Sequence, residues 1–174
     1  DVGGAPLADH GDAEPWRLSR LRWLDSRRFQ GDAPIAPYTP VQRRERRLSL
    51  LGREVELGDE GWPRQVRSRF NQALTSAEGP AVDLLRKPMA FEVVGPEGPM
   101  PLRWEPLRWG PSAGGAATWT ARGRGAGLRL TLRGKLEPDG TLEAQLQVEA
   151  LQARPVEDLR LVVPMQAAFA THLM

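Results

Sequence analysis

The clearest pattern of hydrophobic and polar positions lies in residues 127–150, which read GLRLTLRGKLEPDGTLEAQLQVEA. Apolar side chains occupy every second position in two runs, 128–132 and 142–150, and charged or amide side chains stand between most of them. A period of two places alternate side chains on opposite faces of a strand. Because a Pro-Asp-Gly turn signal separates the runs, the pattern predicts an antiparallel hairpin with one apolar face, one wet face and cross-strand arginine–glutamate pairs.

Shorter apolar runs predict further strands along the chain. These runs are 48–50, 55–57, 66–70, 90–94, 102–109, 117–121 and 159–163. Pro106 confines its strand to an edge or a bulge, and residues 81–86 are the best position for a short helix. Short strands separated by frequent turn signals predict an all-β fold: an antiparallel β-sandwich with an extended N-terminal lead-in and at most one short helix.

The N-terminal part of the chain has no comparable period. Residues 1–15 are predicted to be a loose leader, and residues 31–40, GDAPIAPYTP, carry three prolines and are predicted to be an extended connector. Between them lies WRLSRLRWLDSRRFQ, whose anchors on the sandwich or on a neighbouring domain are predicted to be Trp16, Leu18, Leu21 and Trp23. We therefore expect Trp23 to be substantially buried.

Length and composition set the limits of the interpretation. The 174 residues suffice for one ordinary domain, predicted as 16–174 and as a part of a longer multidomain protein, since the chain starts at Asp1 and ends in an apolar run. The absence of cysteine excludes disulfides, a thiol nucleophile and thiolate metal sites. No apolar run approaches the roughly 20 residues of a membrane span.

Candidate catalytic groups are few. The two histidines, His10 and His172, lie near the ends of the chain without a partner nearby in sequence, so no catalytic residue, metal or cofactor is predicted. Gly123, Gly125 and Gly127 lack the spacing of a dinucleotide-binding loop and precede a strand, which favours a hairpin loop.

Two adjacent acid pairs remain, Asp59–Glu60 and Glu157–Asp158. Paired carboxylates perform glycoside hydrolysis, and acidic loops can bind calcium. The first pair lies in a GDEG turn and the second immediately precedes a strand, so both are interpreted as solvated turn acids.

Two further groups of residues raise binding hypotheses. The chain has six tryptophans, and Trp104 and Trp109 lie near the proline-interrupted strand, where they are candidates either for stacking on sugar rings or for core packing. The RRERR run at 43–47 is the strongest local cationic cluster. The net charge is only +2, and the acidic residues of 137–158 favour intramolecular charge complementarity over nucleic-acid binding.

A family resemblance adds to these predictions. The segments WRLSRLRWLDS, APYTPV and LSLLGREVELGDEGWPRQVRS, in this order, resemble a bacterial family of large proteins similar to glycoside hydrolase family 123. The resemblance is close over 16–70 and looser over 155–174. It implies a β-sandwich region N-terminal to a (β/α)₈ barrel, and a secreted, periplasmic or envelope location. In that family an Asp-Glu pair of the barrel catalyses cleavage of N-acetyl-hexosaminides, so no catalytic residue is carried over.

Three functional hypotheses follow. The first is a non-catalytic accessory domain that packs against a catalytic barrel of the same protein and helps to shape carbohydrate binding. The second is an autonomous carbohydrate-binding module that uses Trp104 and Trp109. The third is a basic domain that binds nucleic acid or another polyanion.

Overall fold

The computed structural model describes residues 33–170. The predictions for the leader, for Trp16, Leu18, Leu21 and Trp23, and for His10 and His172 lie outside these residues. Thirteen strands form within the described part of the chain. They are β1 (Gln42–Arg44), β2 (Arg47–Leu50), β3 (Arg53–Leu57), β4 (Pro63–Ser68), β5 (Val82–Asp83), β6 (Ala90–Gly95), β7 (Gly98–Met100), β8 (Leu102–Trp104), β9 (Arg108–Trp109), β10 (Ala117–Gly125), β11 (Leu128–Leu136), β12 (Leu142–Ala150) and β13 (Asp158–Val162).

All strand pairings are antiparallel and produce three sheets. The first sheet has the order β1-β2-β3-β4-β5, and the third has the order β13-β6-β7. The second sheet has the order β12-β11-β10-β8, and β9 also pairs with β10. In residues 33–170 the helical structure is limited to a 3-10 turn at Ala167–Phe169. The prediction of an all-β sandwich is confirmed.

The second sheet is the layer that the other two sheets share. One end of its inner face, with Trp119 and Leu136, packs against Leu48, Val55 and Leu57 of the first sheet. At the other end, Leu128 and Leu130 pack against Val93 of the third sheet. Leu132 packs between these ends with Ala121 and Trp62. Burial of such side chains typically stabilises a fold by about 1.5–3 kcal/mol each. The inner face of the second sheet therefore contributes much of the hydrophobic free energy of folding.

The hairpin of β10 and β11 is closed by a two-residue turn. Gly125 pairs with Leu128, which leaves Ala126 and Gly127 as a two-residue loop. Both loop residues have positive φ, 53° and 74°, the pattern of a type I′ turn, whose twist matches that of the flanking strands. The interpretation of the glycine cluster as a hairpin loop is confirmed for Gly127, whereas Gly123 and Gly125 lie on β10.

The hairpin of β11 and β12 is confirmed, but its apolar face is buried on one strand only. Arg129 and Glu149 are paired in register, with an ion pair of 2.8 Å. On β11 the even-numbered residues are buried, whereas on β12 only Leu146 is half-buried and Val148 is 37% exposed. The alternation gave the face of each side chain correctly. It could not show that β12 is an edge strand that the third sheet leaves largely uncovered.

The short helix predicted at 81–86 is wrong. Val82 and Asp83 form β5, which pairs with Ser68 and Arg67 of β4. The side chain of Gln65 donates a hydrogen bond of 3.0 Å to the carbonyl oxygen of Leu85 and accepts one of 3.0 Å from its backbone N–H. These contacts hold the segment in an extended form. Short apolar runs are ambiguous between helix and strand, and here tertiary pairing decides.

The proline-rich connector is only partly extended. The backbone N–H of Tyr38 donates to the carbonyl of Ile35 at 2.9 Å, which closes a turn. The backbone N–H of Val41 then donates to the carbonyl of Gly115 at 2.7 Å, and this bond attaches the connector to the loop before β10.

Candidate functional site

Trp104 lies on β8 opposite Gly123 of β10. Gly123 has no Cβ, and a methyl group there would meet the indole ring at 2.9 Å, so the glycine makes room for the ring. Trp104 is half-buried and packs against the clusters around Leu132 and Leu130. Its Nε1 is buried and has no hydrogen-bond partner in the part of the chain that the structure describes. These contacts are those of a residue at the margin of the core.

Trp109 lies on β9 opposite Trp119. The two ring centroids are 6.1 Å apart at an interplanar angle of 68°, an edge-to-face contact. The guanidinium of Arg43 lies over the Trp109 ring, 4.7 Å from its centroid. A sugar that stacked on that face of the ring would have to displace Arg43. Sugar stacking by Trp104 and Trp109 therefore stays a prediction, while their contribution to core packing is visible.

The first acid pair divides into two environments. Asp59 is exposed and forms an ion pair with Arg46, which agrees with the interpretation as a turn acid. Glu60 differs, because its Oε2 is buried and has no hydrogen-bond partner among the described residues. Burial raises the pKa of the Glu60 carboxyl, the backbone N–H of Phe91 opposes this shift, and the charge of Asp59 adds to it. The interpretation of Glu60 as a solvated acid is wrong, because the chain after β3 turns this side chain inwards.

Glu60 lines a cleft of about 520 Å³ between the end of β3 and the start of β6. Trp62, Arg46, Arg64 and Met89 contribute to its walls. The Nε1 of Trp62 is also buried and has no hydrogen-bond partner within residues 33–170. The cleft thus combines one carboxyl group of raised pKa, an indole and two arginines, which is a set of groups suited to hydrogen bonding a polar ligand.

The second acid pair is solvated, as predicted. Glu157 and Asp158 are both exposed, and the nearest cation to Asp158 is Arg160 at 3.9 Å. Among residues 33–170 there is no group of three or more His, Asp or Glu side chains placed to hold a metal ion. No helix of this part of the chain has the length and apolarity needed to cross a membrane.

The RRERR run forms the β1–β2 hairpin, and most of its arginines have intramolecular contacts. Arg46 pairs with Asp59, Arg47 approaches Glu54 at 3.4 Å, and Arg43 covers Trp109. Intramolecular complementarity is thus confirmed for this run. Its acidic partners belong to β3 and the turn after it, and not to residues 137–158 as expected.

A second basic region, which the sequence reasoning missed, lies on the outer face of the second sheet. In-register pairing places seven basic side chains there, on four neighbouring strands. They are Arg103, Arg108, Arg122, Arg124, Arg129, Arg133 and Lys135. We call this surface the arginine face. Alternation marks these positions as outward-facing, but only the strand order shows that they share one surface.

Two edge strands expose apolar rows. On β13, Leu159 and Leu161 pair in register with Val93 and Phe91 of β6, so they belong to the core-facing side of the third sheet. They are nevertheless 47% and 43% exposed. On β12, Val148 pairs with the fully buried Leu130 and is itself 37% exposed. The inner faces of the two sheets thus continue beyond the region where they cover each other.

Comparison with known proteins gives one match. Residues 41–174 match the family model described as glycoside hydrolase 123, third domain. No curated protein and no solved structure matches the chain.

Proposed function

Since the chain belongs to the glycoside hydrolase 123 third-domain family, we propose that it is a non-catalytic accessory domain that packs against the catalytic barrel of the same protein. The observation that carries this proposal is the pair of exposed apolar rows on β12 and β13. The family description supports the presence of other domains in the same protein, which are the natural partners for such rows.

Exposure of the apolar rows to water is unfavourable in free energy. Each large aliphatic side chain contributes about 1.5–3 kcal/mol when it is moved from water into an apolar contact. Six of them are more than one-third exposed between the end of β12 and the segment after β13: Val148, Leu151, Val156, Leu159, Leu161 and Val163. Contiguous exposed apolar patches mark interaction sites, and edge strands also carry unpaired backbone groups. A neighbouring domain that covers these strands would bury the apolar side chains and provide partners for the unpaired backbone groups.

The acids of the cleft favour a binding or structural role over hydrolysis. Hydrolysis of a glycosidic bond normally uses two carboxyl groups with different protonation states. Asp59 is engaged by Arg46, and Glu56 by Arg67 at 3.3 Å. Among the residues that line the cleft, Glu60 is left as the carboxyl group without an arginine partner.

The proposal is tested by mixing the 174-residue chain with the separately expressed remainder of its parent protein and measuring their association by titration calorimetry. We expect saturable binding that the double variant Leu161→Asp/Val148→Asp weakens at least tenfold, because two buried charges would replace apolar contacts. Leu74→Asp is the matched control, since Leu74 is 75% exposed and lies outside both rows.

Failure of the wild-type chain to bind, or equal binding by the wild type and the double variant, would overturn the proposed docking.

The same preparations also test the absence of catalysis. We expect the 174-residue chain alone to release no product from N-acetyl-hexosaminide substrates, and turnover that persists in a catalytically inactive barrel background would contradict the accessory role.

A further inference from the structure

We propose that the arginine face of the second sheet binds an anionic polysaccharide. This inference goes beyond the packing role, because the arginine face lies on the outer side of the sheet, opposite the apolar residues. It does not depend on the docking of the apolar rows, so each proposal can fail alone.

The strand register arranges the arginine face in rows across the sheet. One row contains Arg103, Arg124, Arg129 and Glu149, each directly opposite the next on neighbouring strands. A second row contains Arg108, Thr120, Arg133 and Gln145. Neighbouring strands lie about 4.8 Å apart, so each row presents cations and hydrogen-bonding groups at short, regular intervals.

Most of these cations have no partner within residues 33–170. Arg129 pairs with Glu149, and Lys135 pairs with Glu137. Five exposed side chains, in contrast, form no ion pair or hydrogen bond with any residue in the described part of the chain. These are Arg103, Arg108, Arg122, Arg124 and Arg133. The acids on or beside the face, Glu105, Glu137, Glu143 and Glu149, are too few to neutralise its seven cations.

Arg103 of β8 lies directly opposite Arg124 of β10, so two like charges face each other in the sheet. Like charges in opposite positions of an antiparallel pair destabilise a sheet. Neither arginine has a described carboxylate partner that would offset this repulsion. An anion bound between them would convert the repulsion into a pair of favourable contacts, because the guanidinium group binds carboxylate or sulfate through two parallel hydrogen bonds.

The arginine face also has a groove in which a polymer could lie. A depression of about 360 Å³ is lined by Thr118, Thr120, Arg133, Lys135 and Gln145, among others. An adjoining depression of about 160 Å³ is lined by Thr120, Arg108 and Arg122. Because both depressions share Gly110 and Thr120, they form one path across the strands. Threonine hydroxyl and glutamine amide groups donate to and accept from sugar hydroxyls.

The groove favours a polysaccharide over a nucleic acid. Proteins that hold single strands stack the bases on exposed aromatic rings. Of the aromatic side chains that line the groove, Trp119 is buried and Trp109 has Arg43 over its ring. The duplex major groove is read by a protruding helix or ribbon, whereas this face is a sheet surface. Carboxylated and sulfated polysaccharides share the required chemistry, and the experiment below separates them.

The test measures binding of the 174-residue chain to polygalacturonate, heparin, neutral dextran and a 30-base-pair DNA duplex by affinity electrophoresis and calorimetry. We expect binding to polygalacturonate, heparin or both, weakening as salt rises from 50 to 500 mM because ions screen the contacts. The variant Arg122→Gln/Arg124→Gln/Arg133→Gln should lose at least tenfold in affinity. Arg44→Gln/Arg69→Gln/Arg86→Gln removes the same charge from exposed positions elsewhere and should bind as the wild type does.

Folding of the variants is checked by circular dichroism and thermal unfolding. We expect the face variant to unfold at the same or a slightly higher temperature, since it removes a like-charge pair. Equal loss of affinity in both triple variants would show a nonspecific charge effect and overturn the proposal. Failure to bind either anionic glycan would also overturn it, as would tighter binding to DNA than to both glycans or equal binding to dextran.

Discussion

At the scale of single residues, the contact between Gly134 and Trp119 fixes the centre of the sandwich. Gly134 lies on β11 opposite Trp119 of β10, and the indole ring occupies the space where a side chain of residue 134 would stand. The ring then donates a buried hydrogen bond of 2.9 Å from Nε1 to the carbonyl of Gly61, in the turn between β3 and β4. This one indole therefore connects the first and second sheets.

Replacement of Gly134 tests this contact. A methyl group there collides with the Trp119 ring, which is buried and cannot move freely, so we expect Gly134→Ala to destabilise the fold by about 1–3 kcal/mol. Urea unfolding followed by tryptophan fluorescence measures the change. Gly58→Ala is the control, because its new methyl group meets its nearest neighbour at an ordinary 3.6 Å. Equal stability of the two variants would contradict the packing described.

The buried carboxyl of Glu60 gives a prediction about pH. Because burial raises its pKa, the folded protein keeps this proton at pH values where the unfolded chain has released it. At higher pH the Glu60 carboxyl must ionise in its buried position, and this lowers the free energy of unfolding. We expect Glu60→Gln to stabilise the protein near neutral pH by no more than about 1 kcal/mol, since the group is only partly buried and solvent screens it.

The advantage of Glu60→Gln should disappear as the pH falls below the ordinary carboxyl value of 4.5, where the wild-type group is protonated in both states. Thermal unfolding between pH 3 and pH 8 measures this trend. Glu97→Gln, at an exposed turn position, should show no comparable gain. A constant difference between Glu60→Gln and the wild type at every pH would rule out the linkage.

At the scale of elements, the β10–β11 turn contains a residue whose backbone conformation is unfavourable. Ala126 holds a φ of 53° at the first position of the β10–β11 turn, a conformation that costs an ordinary residue about 1–2 kcal/mol. Asparagine tolerates this region and is preferred at this position of type I′ turns. The hairpin is therefore kept in place by its nine-residue strands rather than by its loop.

We expect Ala126→Asn to raise the free energy of unfolding by about 0.5–1 kcal/mol, because the substituted residue adopts positive φ with less strain. Chemical denaturation measures the gain. The same substitution at Ala113, an exposed loop residue without a positive φ, should have little effect. A loss of stability at position 126 would mean that the partly buried methyl group matters more than the backbone conformation.

The same elements show what a sequence can and cannot predict. Alternation located β10, β11 and β12 because each carries a long period-two pattern, and it assigned each side chain to the correct face. It could not show that the Glu60 carboxyl is buried or that Val148 stays exposed, since both depend on which sheet covers which strand. Residues 81–86 were misassigned for a similar reason, because the extended form depends on the side chain of Gln65, far away along the chain.

At the scale of the whole molecule, one shared sheet separates two kinds of surface. Its inner face forms the core with the other two sheets and continues into the apolar rows of β12 and β13. Its outer face presents the arginine face, which the sequence alone did not reveal because its members come from four separate strands. An accessory domain of this design would dock through its edges and leave its outer face accessible.

The central proposal, docking of the edge strands on another domain, is tested most directly by amide hydrogen exchange. The exchange rates of Leu142–Ala150 and Asp158–Val162 are compared between the 174-residue chain and the complete parent protein, with the central strand Ala117–Gly125 as internal reference. We predict that both edge strands exchange at least about tenfold more slowly in the parent protein, while the reference strand is unchanged. Equal exchange rates of the edge strands in the two proteins would contradict the proposal.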